Sequence, residues 1–162
     1  MPVVGVRTMA LLTPFAALLL TSSLCAQETR RPRRSQQASV TQALGSMRIE
    51  VKYSRPSARG RELFGALVPW GRPWTPGADT ATSITFSTAV RVNGQPLAAG
   101  TYSLWAIPDE ARWTVIFSSA HPVWHLPYPG GSDVLRVEGT PRVGPHMELV
   151  AVYFPHVGGL AR

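Results

Sequence analysis

The chain has 162 residues, with 16 basic and 9 acidic side chains, a formal charge of +7 and a single cysteine. This length suits one domain of ordinary size. One cysteine excludes a disulfide scaffold and a zinc site built from cysteine ligands.

Residues 1–26 have the pattern of a secretory signal peptide, with Arg7 at a basic start, an apolar run and small residues up to Ala26. We predict cleavage after Ala26 and a periplasmic or secreted protein. No transmembrane span is expected in the mature form, because the apolar run is shorter than the ~20 residues that a spanning helix needs. Lipidation of Cys25 is the less favoured alternative, since Leu24 before it is not small. The mature chain would carry +6, because only Arg7 is lost, and no thiol nucleophile.

Residues 27–37 are polar and rich in arginine, which predicts a disordered basic linker. The first strands follow it. Ser39–Leu44 and Met47–Tyr53 are joined by Gly45-Ser46, a good hairpin turn. Apolar and charged side chains alternate through Met47–Tyr53, which is typical of a half-buried strand.

Residues 54–81 form a long segment without clear periodicity, and loops of this length tend to be functional or disordered. It is rich in arginine, tryptophan, proline and glycine. Within it, 62–68 is too apolar to be disordered, and we predict one short helical turn that packs Leu63, Phe64 and Leu67 inward. The loop is therefore predicted to be ordered against the sheet.

The β pattern returns after this loop. Asn93-Gly94 predicts a type I′ turn, and residues 157–162 are expected to be a frayed tail. The further predicted strands are Ser83–Phe86, Ala89–Val92, Thr101–Ile107, Trp113–Ser118, Val134–Glu138 and Met147–Phe154. About eight short strands without a long amphipathic helix predict an all-β fold, an antiparallel β-sandwich or barrel-like domain over 38–156.

Residues 38–154 also resemble a family of bacterial exported proteins called domain of unknown function 2911. The most specific pieces are Tyr53-Ser54-Arg55-Pro56, Gly60-Arg61, Phe64-Gly65, Trp74, Gly77-Ala78, Thr82 and Ala99-Gly100-Thr101-Tyr102. Thr75-Pro76 and Asp79 depart from the pattern, where the family commonly has an arginine and a threonine, and an asparagine. The resemblance implies an exported β-rich domain and carries no activity with it.

The 54–81 loop and its border supply the candidate ligand-binding residues: Arg55, Arg61, Trp70, Trp74, Asp79 and Thr82. Arginine forks bind anions or hydroxyl groups, and tryptophan faces stack on sugars or planar groups. They predict a small anionic or carbohydrate ligand. The alternative is a structural clasp, in which Asp79 is buried and paired to Arg55 or Arg61, and Trp70 and Trp74 fill the core. We favour the clasp.

No catalytic, metal or cofactor signature stands out. His121 and His125 lie four residues apart, but proline surrounds them and no further ligands cluster nearby. Asp109-Glu110 is expected to be a solvated turn. A nucleic-acid-binding helix or sheet motif is missing. The sequence therefore favours a non-catalytic ligand-binding or structural envelope protein. A small periplasmic hydrolase or carbohydrate-processing enzyme using Asp79 and a histidine is the alternative.

Overall fold

The computed structural model describes residues 35–155. The predicted signal peptide 1–26, most of the linker 27–37 and the tail 157–162 lie outside this part of the chain. Within it there are eight strands and no helix, which confirms the all-β prediction. The strands are β1 (Gln36–Leu44), β2 (Met47–Arg55), β3 (Ser83–Phe86), β4 (Val90–Val92), β5 (Gln95–Leu97), β6 (Gly100–Ile107), β7 (Trp113–Ser118) and β8 (Asp133–Gly139).

Six strands form one antiparallel sheet in the order β1-β2-β3-β6-β7-β8, and β4 and β5 form a separate hairpin. The turn of this hairpin has positive φ at both Asn93 and Gly94, as a type I′ turn requires. β1 and β8 are the edges of the large sheet, so no barrel closes within residues 35–155. Of the two predicted architectures, the arrangement favours the sandwich-like one.

The β4–β5 hairpin covers one face of the large sheet. Its residue Leu97 joins a buried cluster of side chains from four strands of that sheet: Phe86, Tyr102, Phe117, Leu135 and Val137. Alternation in β2 follows from this burial, because Val51 points into the protein while Lys52 is exposed. Burial of apolar surface on this face is the main driving force for the fold.

The opposite face buries Trp105, which is 1% exposed and packs with Ala81 and Ile116. Its indole Nε1–H donates a 2.9 Å hydrogen bond to Ser103 Oγ. The segment between β7 and β8 covers this face through Val123 and Tyr128, and the Tyr128 ring meets Trp105 edge-on at 5.2 Å. A buried indole thus has both an apolar environment and a partner for its N–H.

The predicted strands and linker differ from the structure in three respects. Met147–Phe154 is not a strand, and Gln95–Leu97 is a strand (β5) that was not predicted. Within the described residues, the β pairing of the C-terminal segment is limited to the bridge between Leu149 and Ser57, next to Pro56, which has no N–H to extend a ladder. The linker also ends earlier than predicted, because β1 begins at Gln36.

A polar network fastens the segment between β7 and β8 to the start of β8. The Tyr128 hydroxyl donates a short hydrogen bond to Asp133, and Arg136 pairs with the same carboxylate at 2.6 Å. Burial and the bond to Asp133 raise the pKa of Tyr128 above its ordinary value of 10.0. The folded state therefore favours the protonated phenol.

We expect this network to weaken in alkaline solution. A folded-state pKa above the unfolded one means that the contribution of Tyr128 is fully present below pH 10.0 and is lost as the pH rises through the raised value. The difference in melting temperature between wild type and Tyr128→Phe should therefore stay constant up to about pH 10 and shrink as the pH rises further. Tyr153→Phe, at an exposed tyrosine, is the control and should show no such convergence.

Candidate functional site

The loop between β2 and β3 is an ordered extension of the sheet. β2 and β3 are neighbours, with Lys52 opposite Ser83. The part of the loop that precedes β3 pairs with β6. Trp74 and Ala106 exchange backbone hydrogen bonds of 2.8 and 2.6 Å, and Leu104 N–H donates to Thr82 O at 2.7 Å. The loop is therefore ordered against the sheet because its backbone is hydrogen-bonded to a strand.

Thr82 is a buried fastener of this loop. Its side chain is fully buried and donates through Oγ1 to Pro76 O at 2.7 Å. Its N–H donates to Thr75 Oγ1, which in turn donates to Leu104 O on β6. Gly77 lies against it, so close that an added Cβ would stand 2.7 Å from Thr82 Oγ1. These contacts give Thr82 a structural role.

Asp79 is buried, but not in the way that the clasp hypothesis predicts. Among the described residues it forms no ion pair with Arg55 or Arg61, so that part of the hypothesis is wrong. Its carboxylate accepts the Ser35 N–H at 3.2 Å, and its backbone carbonyl accepts the His125 N–H at 2.9 Å. Its φ of 62° is a left-handed conformation that aspartate tolerates better than most residues.

The two arginines hold backbone instead. Arg55 Nε donates to Val150 O at 3.1 Å. Arg61 donates to Ala58 O at 2.9 Å and to Ser57 O at 2.7 Å. The arginine–carbonyl bonds of the clasp hypothesis are therefore present, although its arginine–aspartate pair is not.

Glu148 completes the attachment of the C-terminal segment to the loop. Its carboxylate accepts a short hydrogen bond from the Ser57 hydroxyl and a 2.8 Å bond from the Arg59 N–H. These bonds lower the pKa of Glu148, in that order of importance. Backbone bonds from Ala58 N–H to Glu148 O and from Val150 N–H to Pro56 O run alongside. The start of the loop and the C-terminal segment therefore hold each other in place.

Aromatic side chains form a cluster at the other end of the loop. Phe64 and Trp70 stack at 5.5 Å with 21° between their planes, and Trp113 meets Phe64 at 5.8 Å and Trp74 at 6.5 Å, edge-on. Phe64 is 46% exposed and Trp70 is 41% exposed. The cluster therefore presents apolar rings to solvent.

The predicted helical turn at 62–68 is wrong. A turn closed by Gly65 N–H to Val68 O and Val68 N–H to Leu63 O takes its place. Phe64 and Leu67 are exposed, and Val68 is the buried side chain. Trp70 does not fill the core either, whereas Trp74 is half-buried against β6 and β7.

Trp70 lines an open pocket of about 260 Å³ together with Asp109 and Glu110. The pocket walls are tied together, because Gly71 N–H donates to Pro108 O at 2.9 Å. Trp70 also packs closely over Gly65, where an added Cβ would stand 3.1 Å from the indole Nε1. Sequence reasoning missed the two acids because nothing in a Pro-Asp-Glu turn indicates the distant loop that packs beside it.

The predicted candidates thus do not come together in one site. Trp70 lines the pocket, and Trp74 contacts Trp113 in the aromatic cluster. Arg55, Arg61 and Thr82 make the loop contacts described above, and Asp79 lies beside His125. Whether any of the six binds a ligand stays a prediction.

His125 and His121 have different surroundings. His125 Nδ1 lies 2.8 Å from the carbonyl oxygen of Asp79, not from its carboxylate. Burial and the charge of Lys52 lower the pKa of His121. No group of three or more potential metal ligands occurs in the described ranges. Residues 35–155 also contain no helix long and apolar enough to cross a membrane.

Comparison with known proteins assigns a family. Residues 35–157 match the family described as "Protein of unknown function (DUF2911)". No curated protein and no solved structure matches the chain at a significant level. The match covers most of the chain and all of the elements described above, and it confirms the resemblance seen in the sequence motifs. The chain therefore belongs to the DUF2911 family, proteins of unknown function.

Proposed function

We propose that this protein is an exported, non-catalytic domain that binds carbohydrate on the surface formed by Phe64 and Trp70. The observation that carries the proposal is this stacked and exposed aromatic pair at the mouth of an open pocket. Flat aromatic faces offer large apolar area at low entropic cost and pack against sugar rings. The leader pattern of residues 1–26 supports export to the envelope, where glycans are abundant.

Preorganisation supports binding at this surface. The bond between Gly71 and Pro108 fixes the backbone next to Trp70, and Phe64 stacks on the Trp70 ring. A ring that is already fixed loses little conformational freedom when a ligand packs on it. Neighbouring exposed apolar side chains, unlike single ones, are typical of a surface that contacts a ligand or partner.

The surrounding charges argue against an anionic ligand at this position. The pocket is lined by two carboxylates, Asp109 and Glu110, which would repel it. Arg55 and Arg61, the predicted anion ligands, donate to backbone carbonyls at the other end of the loop. Of the two predicted ligand classes, carbohydrate is the one that fits.

No observation favours the hydrolase alternative. An acid–base pair would need a carboxylate oxygen of Asp79 within hydrogen-bond reach of a histidine. The Asp79 carboxylate accepts a backbone N–H instead, and His125 contacts the carbonyl oxygen.

An oligosaccharide array tests the proposal. Wild-type protein is expected to bind a subset of glycans, and Trp70→Ala to bind them about tenfold more weakly or worse, since truncating an aromatic hot spot removes more than ~1.4 kcal/mol. Trp124→Ala is the matched control, because Trp124 is 38% exposed but lies outside the cluster. Equal binding by wild type and Trp70→Ala, or no glycan bound at all, would contradict the proposal.

A further inference from the structure

The pocket beside Trp70 has a chemical preference that goes beyond an aromatic surface. We infer that the ligand carries a positive charge next to the stacked ring, so that the pocket selects a sugar bearing a free amine. This inference rests on the proposed carbohydrate function, and it adds the charge of the ligand. Asp109 and Glu110 would face the ammonium group, and the Phe64–Trp70 pair would face the sugar ring.

The two carboxylates are placed to receive such a group. Both belong to exposed residues in the turn between β6 and β7, and both line the pocket with Trp70. Asp109 Oδ1 accepts the Ala111 N–H at 3.2 Å, which fixes the side chain and leaves Oδ2 for a ligand. Pro108, which precedes them in the chain, is fully buried and anchors the turn.

Local protein cations do not neutralise this pair. Across residues 35–155, no lysine, arginine or histidine lies within ion-pair distance of Asp109 or Glu110. Arg112 is the nearest cation along the turn, and it pairs with Glu138 at 3.2 Å. Arg72 follows Trp70 by two residues and is exposed. Two carboxylates against one exposed arginine leave the pocket locally negative.

The contrast with the rest of the protein sharpens the inference. The whole chain carries a formal charge of +7, so its average field repels cationic ligands. A preference for an amine would therefore come from the pocket itself. Aromatic rings add to it, because the faces of tryptophan and phenylalanine attract a nearby ammonium group through their quadrupoles. Carboxylates and ring faces together favour a cation over a neutral hydroxyl.

Three tetrasaccharides with the same linkage test the charge directly: oligomers of glucose, N-acetylglucosamine and glucosamine. They differ only at carbon two, where they carry a hydroxyl, an acetamide or an ammonium group. Titration calorimetry at low salt is expected to show binding of the glucosamine oligomer about fivefold tighter than that of either neutral oligomer, the scale of one or two exposed charge pairs. The preference should fall as salt is added, because exposed pairs are screened over ~10 Å at 0.1 M.

Isosteric variants locate the effect. Asp109→Asn with Glu110→Gln should remove the preference, so that the three oligomers bind with equal affinity, and asparagine can keep the bond to Ala111 N–H. Glu62→Gln is the matched control, because Glu62 is an exposed acid of the loop between β2 and β3 and does not line the pocket, and this variant should keep the preference. Trp70→Ala should weaken the binding of all three oligomers.

The outcomes separate this inference from the proposed function. Equal affinity for the three oligomers, lost in Trp70→Ala, would leave the carbohydrate function standing and overturn the amine preference. A preference that survives in the double variant would also overturn it. No Trp70-dependent binding of any of the three oligomers would overturn the amine preference, while the oligosaccharide array decides the carbohydrate function separately. Tighter binding of the glucosamine oligomer, lost in the double variant, supports both.

Discussion

Trp105→Ala is expected to lower the free energy of unfolding by about 3–5 kcal/mol, the cost of truncating a buried tryptophan. Trp105 is 1% exposed, packs with Ile116 and Ala81, and loses its edge-on contact with Tyr128 when truncated. The cavity would open between the sheet and the segment that covers it. For a domain of this size, thermal unfolding should shift down on the order of 10–20 °C.

Two further variants divide this effect. Trp105→Phe keeps a ring but removes the Nε1–H, so the Ser103 hydroxyl loses its donor, and we expect a smaller loss of about 1–2 kcal/mol. Trp124→Ala removes an exposed tryptophan and should change stability by less than about 1 kcal/mol. Circular dichroism melts of the three variants check the order. A Trp105→Ala melt within a few degrees of wild type would contradict the burial argument.

Gly77→Ala is expected to destabilise the protein by about 1–3 kcal/mol through overpacking. The new Cβ would stand 2.7 Å from Thr82 Oγ1, which is held by its bond to Pro76 O, and 3.5 Å from the backbone oxygen of Ser54. Thr82 and Ser54 are both fully buried. The φ of Gly77 is not in the left-handed region, so the cost comes from contact and not from backbone strain.

A double-mutant cycle isolates that contact. Thr82→Ala removes the clashing oxygen, so Gly77→Ala should cost less in that background than in wild type, whereas Thr82→Ser retains the oxygen and the full cost. Gly130→Ala is the control substitution, because its Cβ would meet nothing within 4 Å and its φ is also ordinary. Chemical denaturation gives the free energies. If Gly77→Ala cost the same free energy of unfolding in all three backgrounds, contact with Thr82 Oγ1 would not be the cause of the destabilisation.

The strands that alternate in the sequence are the ones that could be predicted. In β2 a buried face and an exposed face force a period of two, and the same period is visible in its residues. Asn93-Gly94 marks its hairpin because few other pairs accept two positive φ values. β5 could not be predicted, because Gln95–Leu97 is too short to show a period and contains a proline.

The C-terminal segment shows why pattern alone misleads. Val150, Val152 and Phe154 alternate like a strand, but a strand also needs a partner with free hydrogen-bonding groups. The neighbour here is the irregular backbone from Pro56 to Arg59, which offers only scattered bonds. Sequence periodicity carries no information about the partner.

The candidate site could be predicted only in part. The residue type of Trp70 makes it a candidate ligand residue, but the favoured clasp places it in the core, and its exposure depends on the turn at 63–68 and on Pro108. The pairing of Asp79 could not be predicted, because its carboxylate meets Ser35, 44 residues away in the chain. Asp109 and Glu110 resembled an ordinary solvated turn, and only the packing of Gly71 against Pro108 brings them to Trp70.

The long loop leaves and rejoins the sheet at adjacent positions, since Lys52 and Ser83 are partners in the β2–β3 ladder. The register between β2 and β3 therefore does not depend on the identity of the loop residues between these two points. Substitutions at the exposed Phe64 and Trp70 side chains therefore change the surface of the protein while the β2–β3 ladder stays in place. The scaffold and the surface that it presents can be altered independently of each other.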